Sequence, residues 1–211
     1  MIPESYTFIN RSPVIPVMVI DDLAQAVPMA QALVAGGIRT LEITLRTNCA
    51  LDAISAIASA IEGVDVGAGT VCNSKQMKAA IDAGAGFIVS PGSSRELLDA
   101  ADDLNIPLLP GAVTASEVMQ VREAGYPVVK FFPASTSGGA PAIKAMQGPF
   151  SDMLFIPTGG VNLDNMVDYL RLSNVPAVGG SWILPDTAIS TEDWSTVTRL
   201  TRQAIDYATT L

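Results

Sequence analysis

Two charged residues interrupt stretches that otherwise read as buried strands, and both types could do chemistry there. In Val128-Val129-Lys130-Phe131-Phe132-Pro133, Lys130 shares a face with Val128 and Phe132. The other lysines, Lys75, Lys78 and Lys144, fall on helix-like, solvent-facing segments. Burying an ammonium disfavours its charged form and lowers its pKa, from a reference of about 10.4, by as much as several units. A neutral amine is a nucleophile that can form a Schiff base with a ketone. The competing reading is a snorkelling or ion-paired core lysine. Leu41-Glu42-Ile43-Thr44-Leu45-Arg46 alternates with period two, so Glu42, Thr44 and Arg46 share one face and Leu41, Ile43 and Leu45 the other. That polar face looks into a lumen if the sheet closes, or into solvent if this is an edge strand. Schiff-base chemistry needs a group that moves protons, and a carboxylate beside the lysine can do so directly or through one water.

The composition narrows the chemistry further. The chain of 211 residues has no histidine, 12 Lys plus Arg against 21 Asp plus Glu, and two cysteines. A histidine general base, a Ser-His or Cys-His nucleophile pair and a His-ligated metal are therefore excluded within it. A net charge of −9 argues against non-specific binding to nucleic acid or anionic membrane. It leaves room for an anionic small molecule, because a local site can oppose the global charge. Cys49 and Cys72 lack CxxC spacing and read as free thiols of a reducing compartment, with a disulfide as the alternative. Apolar runs such as Val14–Ile20 fall short of the roughly 18–20 residues that span a bilayer, and the N-terminus does not read as a secretory signal. A cytoplasmic protein is expected.

The elements that must position these residues alternate from end to end. Strands are expected at Val14–Val19, Thr40–Leu45, Val64–Gly67, Phe87–Val89, Pro107–Leu109, Val128–Phe131, Leu154–Pro157 and Ala177–Gly179. Helices are expected after Asp21/Asp22 through Ala35 and at Ala50–Ser59, Ser74–Ala83, Ser94–Asp103, Thr114–Ala124, Ala142–Met146, Asn162–Leu170 and Thr191–Ala208. Thr114-Ala-Ser-Glu117 fits a capping box, and Gly84 and Gly125 stand where left-handed helix caps belong. Strict βα alternation implies parallel strands with helical crossovers. Eight units over residues 1–211 fit a single (β/α)₈ TIM-barrel domain, with a short helix ahead of Val14. A doubly wound open sheet would want glycine after the first strand, where Val19-Ile20-Asp21-Asp22 stands. On a ring of eight, Glu42 on the second strand and Lys130 on the sixth can converge across the lumen.

Gly-rich turns follow several strands. Gly67-Ala68-Gly69-Thr70 follows the third, Pro157-Thr158-Gly159-Gly160 the seventh and Gly179-Gly180-Ser181 the eighth. Glycines after strands seven and eight match the usual barrel phosphate site, where backbone N–H groups approach phosphate oxygens and Ser181 can donate. Structural turns are the alternative. Pro91-Gly92 and Pro110-Gly111 shape the mouth, and Phe132 lines a pocket or belongs to the core. No role emerges for the stretch Ser135–Pro141.

Taken in order, Leu41-Glu42-Ile43-Thr44-Leu45-Arg46-Thr47, Gly67-Ala68-Gly69-Thr70-Val71, Ser90-Pro91-Gly92, Lys130-Phe131-Phe132-Pro133-Ala134, Pro157-Thr158-Gly159-Gly160-Val161 and Gly179-Gly180-Ser181-Trp182 resemble the 2-keto-3-deoxy-6-phosphogluconate (KDPG) aldolase family, class I aldolases of the Entner–Doudoroff pathway. The resemblance implies a trimeric barrel that reversibly cleaves KDPG to pyruvate and glyceraldehyde 3-phosphate, without cofactor or metal. It implies Lys130 as Schiff-base lysine and Glu42 as proton carrier. Arg46 and Thr70 match contacts to the carboxylate end, and Pro91 and Phe132 match pocket-lining positions. Thr158, Gly159, Gly160, Gly180 and Ser181 match substrate-binding positions, with the glycines and Ser181 at the phosphate end. Galactonate-pathway relatives usually carry Pro-Leu-Asn after the glutamate and an arginine after the first strand. Here Thr44-Leu45-Arg46 and Val19-Ile20 follow the gluconate pattern, with 2-keto-4-hydroxyglutarate as a possible side substrate. A non-catalytic phosphosugar-binding barrel and a phosphosugar epimerase are the rival readings; a metal-dependent epimerase would want histidine ligands.

Overall fold

The computed structural model describes residues 4–210. A 3-10 turn over Glu4–Asn10 precedes strand β1, Val14–Met18. Strands and helices then alternate: α1 Ala26–Ala35, β2 Thr40–Thr44, α2 Ala50–Ala60, β3 Asp65–Gly69, α3 Ser74–Asp82, β4 Phe87–Val89, α4 Arg95–Asp103, β5 Leu108–Leu109 and α5 Ala115–Glu123. The second half continues with β6 Val128–Phe131, α6 Gly139–Met146, β7 Leu154–Pro157, α7 Met166–Leu170 and β8 Val178–Gly180. Helices α8, Asp186–Ser190, and α9, Trp194–Thr209, complete it.

All strand pairs are parallel. Six strands pair in the order β5-β4-β3-β2-β1-β8, and β6 pairs with β7 in a second ladder. Single bridges link the two ladders, Gly111 with Lys130 on one side and Thr158 with Gly179 on the other. Parallel strands covered by crossover helices are buried on both faces, which is why β1, β2 and β6 are buried along their whole length. The register sets Glu42 beside Val17 on β1 and Gly67 on β3, and Thr44 beside Gly69. On the other ladder Lys130 lies beside Ile156.

Helix boundaries follow local hydrogen bonds. Thr114 and Glu117 form the expected capping box, and the Val113 and Thr114 N–H groups hold the Glu117 carboxyl below the ordinary range. Gly84 and Gly125 have the expected positive φ. Helix α3 starts at Ser74, the first residue of the expected helix, and is capped by Asn73, whose side chain accepts from the Gln76 N–H. The helix expected from Asn162 begins at Met166 instead, because the Asn162 and Asn165 side chains satisfy nearby N–H groups in turns that compete with a helix. Helix α9 starts at Trp194 under an Asp193 cap rather than at Thr191, and short α8 was not anticipated.

The N-terminal turn closes the end of the sheet where the strands begin. Phe8 stacks on Phe87 at 4.2 Å between ring centroids, and Thr40 Oγ1 donates to the Phe8 carbonyl at 2.7 Å. Tyr6 donates to the Leu108 carbonyl at 2.9 Å, and burial pushes its phenol up to about 12, so it remains a donor. Cys49 and Cys72 are free thiols, and among the described residues no helix is long and apolar enough to cross a membrane.

Candidate active site

The two charges singled out by their strands meet. Lys130 Nζ donates to Glu42 Oε1 at 2.9 Å, with side chains only 5% and 3% exposed and a separation of 88 positions in sequence. β2 and β6 belong to different ladders, so the contact spans the interior between them. Burying either charge alone is expensive, and removing one partner of such a pair typically costs about 3–5 kcal/mol. The ammonium makes no other hydrogen bond among the described residues, and the Phe132 ring centroid lies 5.6 Å from it. That distance is within cation–π range of the ring face. Lys75, Lys78 and Lys144 are exposed on helices, as their spacing implied.

Glycine makes room for the glutamate. A Cβ on Gly69 would overlap Glu42 Oε1 and lie 2.7 Å from Cγ and 2.8 Å from Cδ. Gly69 on β3 thus forms a wall of the carboxylate's slot. Lys130 is fixed by its backbone, whose N–H donates to the Pro110 carbonyl at 2.8 Å and whose carbonyl accepts from Ala112 at 3.0 Å. Gly111, its bridge partner, packs directly on the backbone carbonyl of Pro91, so no side chain fits there. Pro91 therefore touches the residue that bridges to the lysine.

Beyond the strand ends, Arg46 Nε donates to Thr70 Oγ1 at 3.1 Å. Neither residue bonds to the lysine–glutamate pair. The terminal nitrogens of Arg46 have no acceptor among the described residues, leaving a guanidinium fork free for a carboxylate. Thr70 has φ +60, a left-handed conformation that a β-branched residue adopts only under strain, and such strain gathers at functional sites.

The remaining candidates sit at the ends of β6, β7 and β8. The Phe132 ring lies against Gly159, and buried Thr158 lies over Gly179. Gly159 and Gly160 have φ +93 and +75, so both occupy the left-handed region that glycine alone adopts freely. Gly180 is covered by the Trp182 ring. Ser181 is exposed beside a cavity of about 520 Å³, lined also by Val17, Val19 and Leu184. A larger groove of about 1130 Å³ runs along α9 past Arg199, Arg202 and Tyr207, but no site candidate lines it. Among the described residues no three His, Cys, Asp or Glu side chains gather as a metal-ion site.

The arrangement is a buried lysine paired with a buried carboxylate, an arginine fork, and glycine turns at one end of the sheet. Residues 6–200 match the family model for KDPG and KHG aldolase. The chain belongs to that aldolase family. Relatives agree across nearly the whole length. The 2-dehydro-3-deoxy-phosphogluconate aldolase of Pseudoalteromonas atlantica is 50% identical over 202 residues, 96% of this chain and 94% of that protein. A Legionella pneumophila KDPG aldolase with pyruvate captured as a covalent carbinolamine superposes with a TM-score of 0.94 at 45% identity, covering 96% of this chain and 98% of that one. The Zymomonas mobilis 2-keto-3-deoxy-6-phosphogluconate aldolase with 3-phosphoglycerate gives 0.92 at 42%, covering 97% and 96%.

Three further positions shape the site without having stood out in the sequence. Gly69 appeared as part of a turn motif, although its role here is to seat Glu42; the strand register alone would have revealed it. Gly179 gives Thr158 its space. Asn165 donates to the Gly160 carbonyl at 2.9 Å and pins the glycine turn, a role disguised by its place in an expected helix.

Proposed function

We propose that this chain is a class I aldolase that reversibly cleaves KDPG to pyruvate and D-glyceraldehyde 3-phosphate, with Lys130 as nucleophile and Glu42 as proton carrier. One observation carries the reading: a buried lysine and a buried glutamate in direct contact at 2.9 Å, on strands of different ladders. A structural ion pair could share that geometry. The family membership and the free arginine fork nearby favour chemistry.

In the proposed cycle the Glu42 carboxylate takes a proton from Lys130, and the freed amine attacks the C2 ketone of the substrate. Protonation of the resulting oxyanion gives a carbinolamine, and loss of water with Glu42 as the acid leaves a protonated imine. Glu42, directly or through one water, then removes the proton of the C4 hydroxyl. The C3–C4 bond breaks, its electron pair moving into the iminium to give an enamine, and glyceraldehyde 3-phosphate departs. Protonation at C3 restores the iminium, and water releases pyruvate. The iminium accepts the electrons that a Lewis acid would otherwise take, so the cycle requires no metal.

Arg46, with Thr70 holding its Nε, anchors the substrate carboxylate. Pro91 and Phe132 line the pocket, and Thr158, Gly159, Gly160, Gly180 and Ser181 receive the rest of the substrate, phosphate last. The two ladders act as arcs of one eight-stranded barrel in a single domain, a reading supported by the bridges on both sides. The resemblance further supports a cytoplasmic homotrimer, testable by light scattering. Thr44-Leu45-Arg46 and Val19-Ile20 favour the gluconate-type C4 epimer. Turnover on both C4 epimers tests that preference.

The deciding experiment is borohydride reduction in the presence of pyruvate, followed by intact-mass and peptide analysis. One reduced pyruvyl group on the Lys130 peptide is expected. Its absence, or its persistence in Lys130→Ala, overturns the reading.

A further inference from the structure

Residues Ser135–Pro141 carried no meaning in the sequence, yet the first of them lies against the glycine turn. Leaving β6, the chain runs alongside Thr158–Gly160: Ala134 N–H donates to the Thr158 carbonyl at 2.8 Å, and Ser135 N–H to the Gly159 carbonyl at 3.0 Å. The Ser135 side chain is thereby laid over Gly160, where an added Cβ would overlap its Oγ. On the far side Asn165 holds the Gly160 carbonyl. The turn is thus fixed from both flanks.

This turn is built of unused donors. The N–H groups of Gly160 and Val161, and those of Ser181 and Trp182 past β8, donate to no protein acceptor among the described residues. The exposed Ser135 hydroxyl has no partner there either. Successive free N–H groups in left-handed and turn conformations form a concave anion site. The charges nearby sharpen the point. Residues 134–138, 158–165 and 179–186 contain no Lys or Arg, but do contain Asp164 and Asp186. A dianion bound here is held by neutral donors alone, so each hydroxyl carries a large share of the recognition.

We propose that Ser135 is a substrate-binding residue whose hydroxyl donates to the phosphate from the β6 side, opposite Ser181. It sets the preference for phosphorylated over unphosphorylated substrates. This rests on the proposed function and adds a residue from a third loop to its phosphate end.

The test compares wild type, Ser135→Ala, Ser135→Asp and Ser181→Ala on KDPG and on its unphosphorylated analogue, with inorganic phosphate as competitive inhibitor. Losing one hydroxyl donor to a charged acceptor corresponds to a loss of about tenfold or more. Ser135→Ala is expected to raise KM for KDPG by about that factor and to weaken phosphate inhibition equally. The loss should be confined to the phosphorylated substrate. Ser135→Asp, which sets a carboxylate against the dianion, should lose more. An unchanged KM for KDPG in Ser135→Ala beside a raised KM in Ser181→Ala means that Ser135 only packs on Gly160, and overturns the proposal. So does an equal loss on both substrates. Failure of the wild-type enzyme to form the borohydride adduct with pyruvate would instead strike the function on which the proposal rests.

Discussion

Substituting Gly69 by alanine tests whether the placement of Glu42, rather than its mere presence, drives turnover. The new Cβ would stand 2.7 Å from Glu42 Cγ and closer still to Oε1. Restoring an ordinary contact of 3.4 Å requires Cγ to retreat by about 0.7 Å, and the carboxylate oxygen by more. Its 2.9 Å contact with Lys130 cannot survive such a shift without compensating movement of β2 or β6. A misplacement of about 1 Å at a reacting group costs about 10²-fold in rate. Overpacking a buried site costs about 1–3 kcal/mol, and each kcal/mol lowers Tm by about 2–4 °C in a protein of this size. Gly69→Ala should therefore show kcat reduced about 100-fold, KM little altered and Tm lowered by about 2–12 °C. Pyruvate release under steady-state conditions gives the first two, and calorimetry the third. A variant with kcat within threefold of wild type would show that the slot formed by Gly69 does not position the proton carrier.

Other perturbations have distinct outcomes. Glu42→Gln keeps shape but cannot carry protons, so turnover should fall by about 10²–10⁴-fold with the fold retained; wild-type kinetics would remove Glu42 from the mechanism. Lys130→Ala should abolish the borohydride adduct and, by stranding a buried carboxylate, cost about 3–5 kcal/mol in denaturant unfolding. The double variant Lys130→Met/Glu42→Gln should recover much of that stability, and additive losses would show that the pair is not coupled. Turnover in EDTA should equal that in its absence, since the iminium is the electron sink; a loss would revive a metal-dependent reaction. Hydrogen bonds from Ser195, and then from the hydroxyl and N–H of Thr196, hold the Asp193 carboxyl down to about 2 at the start of α9. A carboxyl whose folded pKa is depressed stabilises the fold above its unfolded value, and that contribution disappears as pH falls toward the folded one. The Tm gap between wild type and Asp193→Ala should thus be full above about pH 4 and close toward pH 2, whereas a constant gap would refute the cap's role.

How far the chain could be read in advance depended on the range of the interactions involved. Period-two alternation and capping motifs are local, so βα order and most boundaries were readable to within a residue or two. Asn162 shows where local reading failed: its side chain competes with the helix it was expected to start, and only the folded turn reveals which interaction wins. Glu42 and Lys130 stood out because charge inside an apolar strand demands a reason, though the partner that supplies it lies 88 residues away. Their convergence was expected from strand order, and the structure brings them into direct contact. Gly69 and Ser135 were invisible as functional residues for a related cause. Their significance is the space they leave or fill beside another loop, and nothing in their own neighbourhood in the sequence encodes that.

The direct contact between Lys130 and Glu42 also constrains the electrostatics of the whole proposed cycle. At rest the interior holds one ammonium and one carboxylate. Once the proton has crossed the 2.9 Å between them, it holds a free amine and a carboxylic acid. At the iminium stage it again holds one cation and one anion, and at the enamine stage two neutral groups. The buried site thus passes between zwitterionic and uncharged states while the sum contributed by these two groups stays at zero. No isolated charge ever has to be stranded in a poorly solvated space, where it would cost several kcal/mol. Substitutions that break this symmetry, such as an amide at 42 facing an intact lysine, disturb every intermediate at once rather than a single step.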